Sequence, residues 1–428
     1  MFFVENQKDA SDLLELLDNH PSIIQVYFQN SKTHPVDNKP IAVFINIKSD
    51  FYVISLGHPD AIQIPSQFLN MIMNSKGSKS IFDRKKLLYH VKTINNAIDY
   101  FVCSYLNLLD TLEIGYQSRT NDFRSIPIMK LLVHFKKLCT SVLDNKPPKE
   151  LVKYESDFSS ALYQIEKNGM YVEDFKLGST DLVNDQNLVF TQYNMLTPTG
   201  RPSNSFGNVN YVALNKKTGD RSCFKSRFGN DGLLVMIDYE SYHLRLIGNF
   251  LEYNLPTSSL HEYLGKIYHG KDDLTEEEYE LSKKITFNLI YGGIDDDIRN
   301  NVPFMKYISD YVENTYSDFK KMGYVETWRY KRKIYSNFFG DKINSYKVFN
   351  YLIQSAETER NCIVLNQLNS YLKECVSKLI LYTYDAFLFD VHKDEFFKFK
   401  EIDSVITSNG KFPVRTYIGN SYDSVRQI

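Results

Sequence analysis

The chain has 428 residues, 43% hydrophobic and 24% charged, with 50 Lys+Arg against 52 Asp+Glu for a formal net charge of −2. That length and apolar content suffice for a sizeable core in two or three structural units, while the neutral balance gives no bulk-charge sign of a nucleic-acid partner. No run approaches the roughly 18 apolar residues of a membrane span, and Cys103, Cys139, Cys223, Cys362 and Cys375 lack the C-x-x-C spacing of a zinc site. The opening MFFVENQKDA lacks the charged-then-apolar order of a secretory leader; with the scattered thiols it predicts a reducing, cytoplasmic setting.

In chain order, the pattern predicts a helix over 10–17, strands over 22–28, 41–47 and 51–56, then helices near 66–73 and over 93–112. These make a small α/β unit over residues 1–115. A polar stretch at 116–124 and a turn at 145–148 flank a helix over 128–143, whose first turn suits Pro127. Residues 116–152 are thus expected to be a helical linker. From residue 153 an amphipathic helix runs to Asn168-Gly169, a helix-stop pair. Basic residues gather at Lys216, Lys217, Arg221, Lys225 and Arg227, and again from Lys320 to Lys333, where Tyr324, Trp328 and Tyr330 interleave with Arg329 and Arg332. Most such runs are solvated faces.

Two apolar runs end on carboxylates. Leu233–Ile237 is a buried-strand pattern followed by Asp238-Tyr239, and the run from Lys378 to Tyr384 meets Phe387–Val391 in a hairpin with Asp385 at its tip. Side by side, such aspartates can hold two Mg²⁺ ions about 4 Å apart, since hard oxygen ligands suit Mg²⁺. Between the runs, Tyr279, Lys283 and Phe287 recur every four residues, with Tyr291 one turn on and Gly292-Gly293 to stop the helix. That face offers a cation for a triphosphate and rings for a sugar and a base. Each feature alone reads more readily as a turn or cap residue, a solvated lysine pair or an aromatic core stripe.

Together the segments resemble family A (DNA polymerase I-like) DNA polymerases. Asp238-Tyr239-Glu240-Ser241-Tyr242-His243-Leu244-Arg245 is similar to motif A, Lys283, Phe287 and Tyr291-Gly292 to motif B, and Tyr384-Asp385 to motif C, in the family's order. The segments Ala161–Gly169, Thr199-Gly200-Arg201-Pro202-Ser203, Gly323–Thr327, and Asn350 with Gln354 agree. The resemblance implies an α+β fold: an RNase H-like (exonuclease-like) N-terminal domain over 1–115, then a right-hand polymerase domain over 153–428 with palm at 153–247 and 325–428 and fingers at 248–324. The thumb is expected to be reduced or absent, because about thirty residues separate Gly169 from Thr199, too few for two helices of roughly twenty residues each.

By the same resemblance, Asp238 and Asp385 with the Tyr239 carbonyl are the metal ligands, for two Mg²⁺ ions with Mn²⁺ as a substitute. Lys283 serves the triphosphate as charge and proton donor, with Lys284 as its neighbour. Phe287, Tyr291 and His243 contact the nucleotide, His243 at the gate for the sugar 2'-hydroxyl. Arg201, Asn350 and Gln354 are donors to the primer–template minor groove, where every base pair presents acceptors. Arg329, Arg332, Lys225 and Arg227 hold phosphates. The partners implied are primer–template DNA, dNTPs and a processivity or replication protein, with no membrane; the setting is the host cytoplasm if the chain is phage-encoded. The chain departs from the family at His243, Tyr279 and Ala386, where glutamate, arginine and glutamate are usual. The exonuclease carboxylates are missing too: strand 22–28 leads into Gln29-Asn30-Ser31 rather than Asp-x-Glu, so proofreading is not expected. Two alternatives remain, a single-subunit RNA polymerase and a catalytically weak subunit that binds primer–template.

Overall fold

A computed structural model of the chain describes residues 1–108, 120–143 and 147–428. The end of the predicted helix 93–112, the expected 115/116 boundary and parts of the 116–124 and 145–148 segments lie outside the described residues. The chain forms two compact units, Met1–Lys167 and Asn168–Ile428.

The first unit contains β1 (Phe2–Phe3), α1 (Gln7–Asn19), β2 (Ser22–Phe28), β3 (Pro40–Ile47), β4 (Asp50–Ser55), α2 (Phe68–Asn74), β5 (Lys79–Ile81), α3 (Arg84–Leu87), β6 (Ala97–Asp99), α4 (Tyr100–Leu108), α5 (Ile128–Leu143) and α6 (Lys149–Asn168). Among the described residues, its strands lie in one sheet in the order β1-β4-β3-β2-β5-β6. The hairpins β2–β3–β4 are antiparallel, and β5 and β6 add in parallel beside β2. Strand β2 is buried along its whole length because its alternating side chains serve two cores. Ile24, Val26 and Phe28 pack with Leu13 and Leu17 of α1 and Ile72 of α2. Ile23 and Tyr27 pack with Leu131 and Phe135 of α5.

Residues 93–99, expected to open a helix, instead lead into β6, and Asp99 starts α4 by accepting hydrogen bonds from the backbone N–H groups of Phe101 (3.1 Å) and Val102 (3.3 Å). An N-cap carboxylate fixes the helix start there. Helix α6 belongs to this unit rather than to the second, whose start was expected at residue 153. Two buried carboxylates tie it in: Glu155 pairs with Arg84 at 3.2 Å and Glu166 with Lys85 at 2.5 Å.

The second unit contains the short strands β7 (Met170–Tyr171), β8 (Leu188–Val189), β9 (Tyr193–Asn194) and β10 (Ser203–Asn204). Strand β11 (Gly232–Tyr239) follows, then α7 (Tyr242–Phe250), α8 (Leu260–His269), α9 (Glu276–Gly292), α10 (Asp296–Asn301), α11 (Pro303–Met322), β12 (Tyr324–Glu326), β13 (Lys333–Tyr335) and α12 (Ser345–Tyr371). It ends with β14 (Lys378–Tyr382), β15 (Ala386–His392), α13 (Phe399–Thr407), β16 (Val414–Gly419) and β17 (Arg426–Gln427). The main sheet is antiparallel, in the order β14-β15-β11-β16-β17. Helices α7, α8, α9, α11 and α12 share one apolar cluster, including Ile247, Leu264, Ile290, Ile308 and Phe349. Between Gly169 and β10 the chain makes only short strands and one 3-10 turn, so the long helix pair is missing, as the short spacing predicts. Among the described residues no helix is long and apolar enough to cross a membrane.

Candidate active site

Asp238 stands near the end of β11, the central strand of the main sheet, flanked by Ala386 of β15 and Arg415 of β16 in register. A side chain there is held on both sides by ladder hydrogen bonds, and the Tyr239 N–H donates to the Asp385 carbonyl at 2.9 Å. Asp385 sits in the tight turn between β14 and β15. Tyr384, before it, has φ of 75°, a conformation costly for a bulky residue. Asn361 of α12 secures it: its amide donates to the Tyr384 carbonyl at 2.6 Å and to the Tyr382 hydroxyl at 3.1 Å, and its carbonyl accepts from Tyr242 at 2.7 Å.

The two carboxylates share an electrostatic environment. Burial, and then the neighbouring Asp385, push Asp238 up to about 7 against the pull of Arg415. Asp385 is also raised, first by burial and then by Glu357. Both line a cavity of about 580 Å³ with Arg201, Tyr239, His243, Phe287, Tyr291, Asn350, Gln354 and Glu357. Of Tyr239 only the main chain is free for this cavity, since its ring stacks on Tyr242 (centroids 4.0 Å apart) and its hydroxyl donates to the Ile406 carbonyl at 2.9 Å. Among the described residues no group of three or more His, Cys, Asp and Glu side chains forms a metal cage.

Helix α9 begins with a capping box, Thr275 with Glu278, and ends at Gly293, whose φ is 133°. Phe287 and Tyr291 are nearly parallel, with centroids 5.9 Å apart, and Phe287 is 48% exposed where a flat ligand can reach it. Lys283 lies on the same face, 4.5 Å above the Tyr279 ring and 2.7 Å from Glu280; it is outside the cavity lining, and Lys284 is exposed. His243 touches the Tyr291 hydroxyl through Nδ1. The Asn350 amide donates to the Tyr291 carbonyl at 3.4 Å.

The basic residues divide. Arg201 is at the cavity, its guanidinium 3.9 Å above the Tyr384 ring and 2.8 Å from Glu357. Arg329 is exposed, and Lys225 forms a surface pair with Glu173. Arg332 and Arg227, expected on phosphates, are internal ties. Arg332 is 4% exposed and donates to the Pro198 carbonyl (3.0 Å) and the Ser355 hydroxyl (3.1 Å). Arg227 spends its donors on Asp390 (2.7 Å) and the carbonyls of Asn168 (3.0 Å) and Gly169 (2.8 Å).

Three residues at the site escaped the sequence reading. Glu357 is buried in the cavity wall. Asn361 supports the Asp385 turn. Arg415 is hydrogen-bonded to Tyr279 and lies 3.2 Å from Glu240, so it brings a cation beside the position where the family's motif B arginine is replaced. The helical spacing of Asn350, Gln354, Glu357 and Asn361 is the signal that points to two of them.

The fold these elements build is that of a polymerase domain. The solved POL domain of Pol1 from M. smegmatis, in complex with DNA primer-template and dNTP, matches with a TM-score of 0.73 at 14% identity, covering 99% of each chain. Among curated proteins, a DNA polymerase of Bacillus phage SP01 is 22% identical over 307 residues, 60% of this chain and 33% of that protein. DNA polymerase I of Synechocystis sp. is 31% identical over 126 residues, 26% of this chain and 12% of that protein. The chain is therefore similar to DNA polymerases of the DNA polymerase I type, over a third or less of each relative's length. No protein-family model matches it.

Proposed function

We propose that the chain is a template-directed DNA polymerase that adds dNTPs to a primer 3' end. The observation that carries this reading is the convergence of Asp238, on β11, and Asp385, in the turn that leads into the neighbouring β15, on one cavity whose other wall is the aromatic face of α9. Buried polar atoms without a hydrogen-bond partner gather at that cavity: Ser241 Oγ, His261 Nδ1 and Asn350 Oδ1. Such atoms are rare in a settled interior and fit a polar ligand.

The donor set fits divalent metal. Two carboxylates of one cavity, both with raised proton affinity, gain from a divalent cation, and an all-oxygen pair suits Mg²⁺, a hard cation that keeps several waters. When bound, two such ions supply an activated 3'-hydroxyl and neutralisation of the departing pyrophosphate. The chain's own residues orient the reactants. Phe287 packs on the sugar and Tyr291 near the templating base, while Lys283 and Lys284 face the triphosphate. Lys283 releases Glu280 to bind it and gives a proton to the leaving group. Arg201, Asn350 and Gln354 test the primer terminus in the minor groove, and Arg329 and Lys225 meet phosphates.

The first unit serves as an exonuclease-like platform without nuclease activity. Its sheet order supports that reading, and carboxylates around the turn after β5 are engaged internally: Asp83 accepts the Lys86 N–H at 3.1 Å, Asp99 accepts the Arg84 N–H at 2.6 Å, and Glu155 holds the Arg84 side chain. The setting is the cytoplasm, the host's if the chain is phage-encoded, and a processivity or replication protein is the expected partner. Primer extension with Mg²⁺ tests the proposal by comparing dNTPs with rNTPs. Extension with dNTPs supports it; preference for rNTPs would favour the RNA polymerase alternative, and binding of primer–template without extension the non-catalytic one.

A further inference from the structure

On α12, Asn350, Gln354 and Glu357 present a polar stripe to the cavity. Glu357 is its acidic member, with a side chain only 1% exposed. Removing a carboxylate from water costs several kcal/mol unless it is paired. Two partners meet it from two other segments: Arg201 Nε at 2.8 Å and His243 Nε2 at 3.4 Å. The Arg201 contact is off the N–H direction, which leaves Glu357 Oε2 without a hydrogen bond.

The chemistry of the carboxylate decides the state of the ring. An ionised glutamate only accepts, so its field favours the imidazole hydrogen on Nε2. Nδ1 is then the acceptor for the Tyr291 hydroxyl, while Nε2 faces Glu357 Oε1 across an electrostatic contact of 3.4 Å. Held at both nitrogens, between α9 and α12, the imidazole has one tautomer and one plane. Without Glu357 the Nε2 side loses this contact, and the ring is less firmly held against the cavity.

We propose that Glu357 is a positioning residue for sugar selection: by holding His243 at Nε2, and Arg201 beside it, it fixes the wall against which the sugar of an incoming nucleotide packs. The inference rests on the polymerase reading and adds to it a residue from a third segment. A glutamate that merely neutralised Arg201 would affect deoxy- and ribonucleotides alike; one that acts through His243 changes their ratio.

Single-nucleotide insertion separates these. kcat/KM for a dNTP and the matching rNTP is measured for wild type, E357Q, H243A and the double variant. Glu357→Gln keeps the volume and loses the charge; it lowers the dNTP/rNTP ratio about tenfold, while the double variant is no less selective than H243A alone. An unchanged ratio in E357Q, or an equal further fall in the H243A background, overturns the proposal. A second measurement needs no catalysis. With ¹⁵N-labelled histidine, the His243 ring of the wild type shows the Nε2–H tautomer and that of E357Q a mixture; the same tautomer in both also overturns it. A wild-type protein that extends primers with neither sugar overturns the polymerase reading and this inference together. An active wild type whose selectivity survives E357Q overturns the inference alone.

Discussion

Asn361→Leu is a sharp test of how the site is built, because the residue touches no substrate in the proposed mechanism yet carries the turn that presents Asp385. Its side chain is fully buried and makes hydrogen bonds of 2.6, 2.7 and 3.1 Å to the Tyr384 carbonyl and the hydroxyls of Tyr242 and Tyr382. Leucine has the same branched outline, is somewhat bulkier, and makes none of these bonds. Each buried group left unpaired costs about 1–3 kcal/mol, and the Tyr242 hydroxyl keeps one contact, with Arg360 at 3.1 Å. Counting the Tyr384 carbonyl and the Tyr382 hydroxyl in full, and crediting leucine with about 1–2 kcal/mol of apolar burial, the net loss is about 3 kcal/mol. The positive φ of Tyr384 adds a kinetic effect, since its strain, on the order of 1–3 kcal/mol, persists only while the surroundings over-determine it. Once the turn relaxes, Asp385 leaves its place beside Asp238, and a displacement of about 1 Å costs on the order of a hundredfold in rate. Urea titration followed by circular dichroism gives the first quantity and single-nucleotide insertion at saturating dNTP gives the second. A wild-type midpoint together with a wild-type kcat would refute the reasoning.

Other expectations are more direct. Asp238→Ala and Asp385→Ala each abolish incorporation while primer–template binding, read by fluorescence anisotropy, stays within a few-fold of wild type; substantial extension by either would remove that carboxylate from the mechanism. Lys283→Ala slows incorporation on the order of a hundredfold, and a near-normal rate would move the triphosphate site toward Lys284 or Arg415. Lacking a helical thumb, the isolated protein adds one or a few nucleotides per binding event under a heparin trap, and long products from the protein alone would contradict this. Burial, and then Lys86, lower His90 to about 4. The unfolded state therefore binds the extra proton between about pH 6.5 and 4, and stability falls as pH drops through that window, by on the order of 2 kcal/mol. His90→Asn removes this component, so the gap between the urea midpoints of variant and wild type should change across the window; a constant gap would be the contrary result.

Strands buried on both faces were legible because their apolar runs are continuous: β2, β11 and the β14–β15 pair all stand where the pattern puts them. Helix α9 was legible from its four-residue spacing and its terminal glycines. The three-residue β6 was not, since a segment that short has no period to read. The fate of individual charges was the least legible. A lysine or arginine run looks the same whether it faces solvent or spends its donors on a neighbouring loop, and only tertiary packing separates Arg329 from Arg332. Glu357 is the mirror case. A glutamate on a helix ordinarily faces water, and nothing local says that Arg201 and His243, more than 100 residues away, close over it.

Asp238 and Asp385 lie about 150 residues apart in a chain whose intervening stretch folds into the α7–α12 helices. Bringing the ends of such a loop together costs roughly 4 kcal/mol in chain entropy, and the β11–β15 ladder that joins them is the non-local kind of contact that forms slowly. The helices, built on short-range contacts, have no such barrier. During refolding from denaturant the second unit should therefore recover helical signal well before it recovers nucleotide incorporation. A molecule caught between those stages has the aromatic wall of the cavity but no carboxylate pair, so partly folded chains can hold a nucleotide without reacting it.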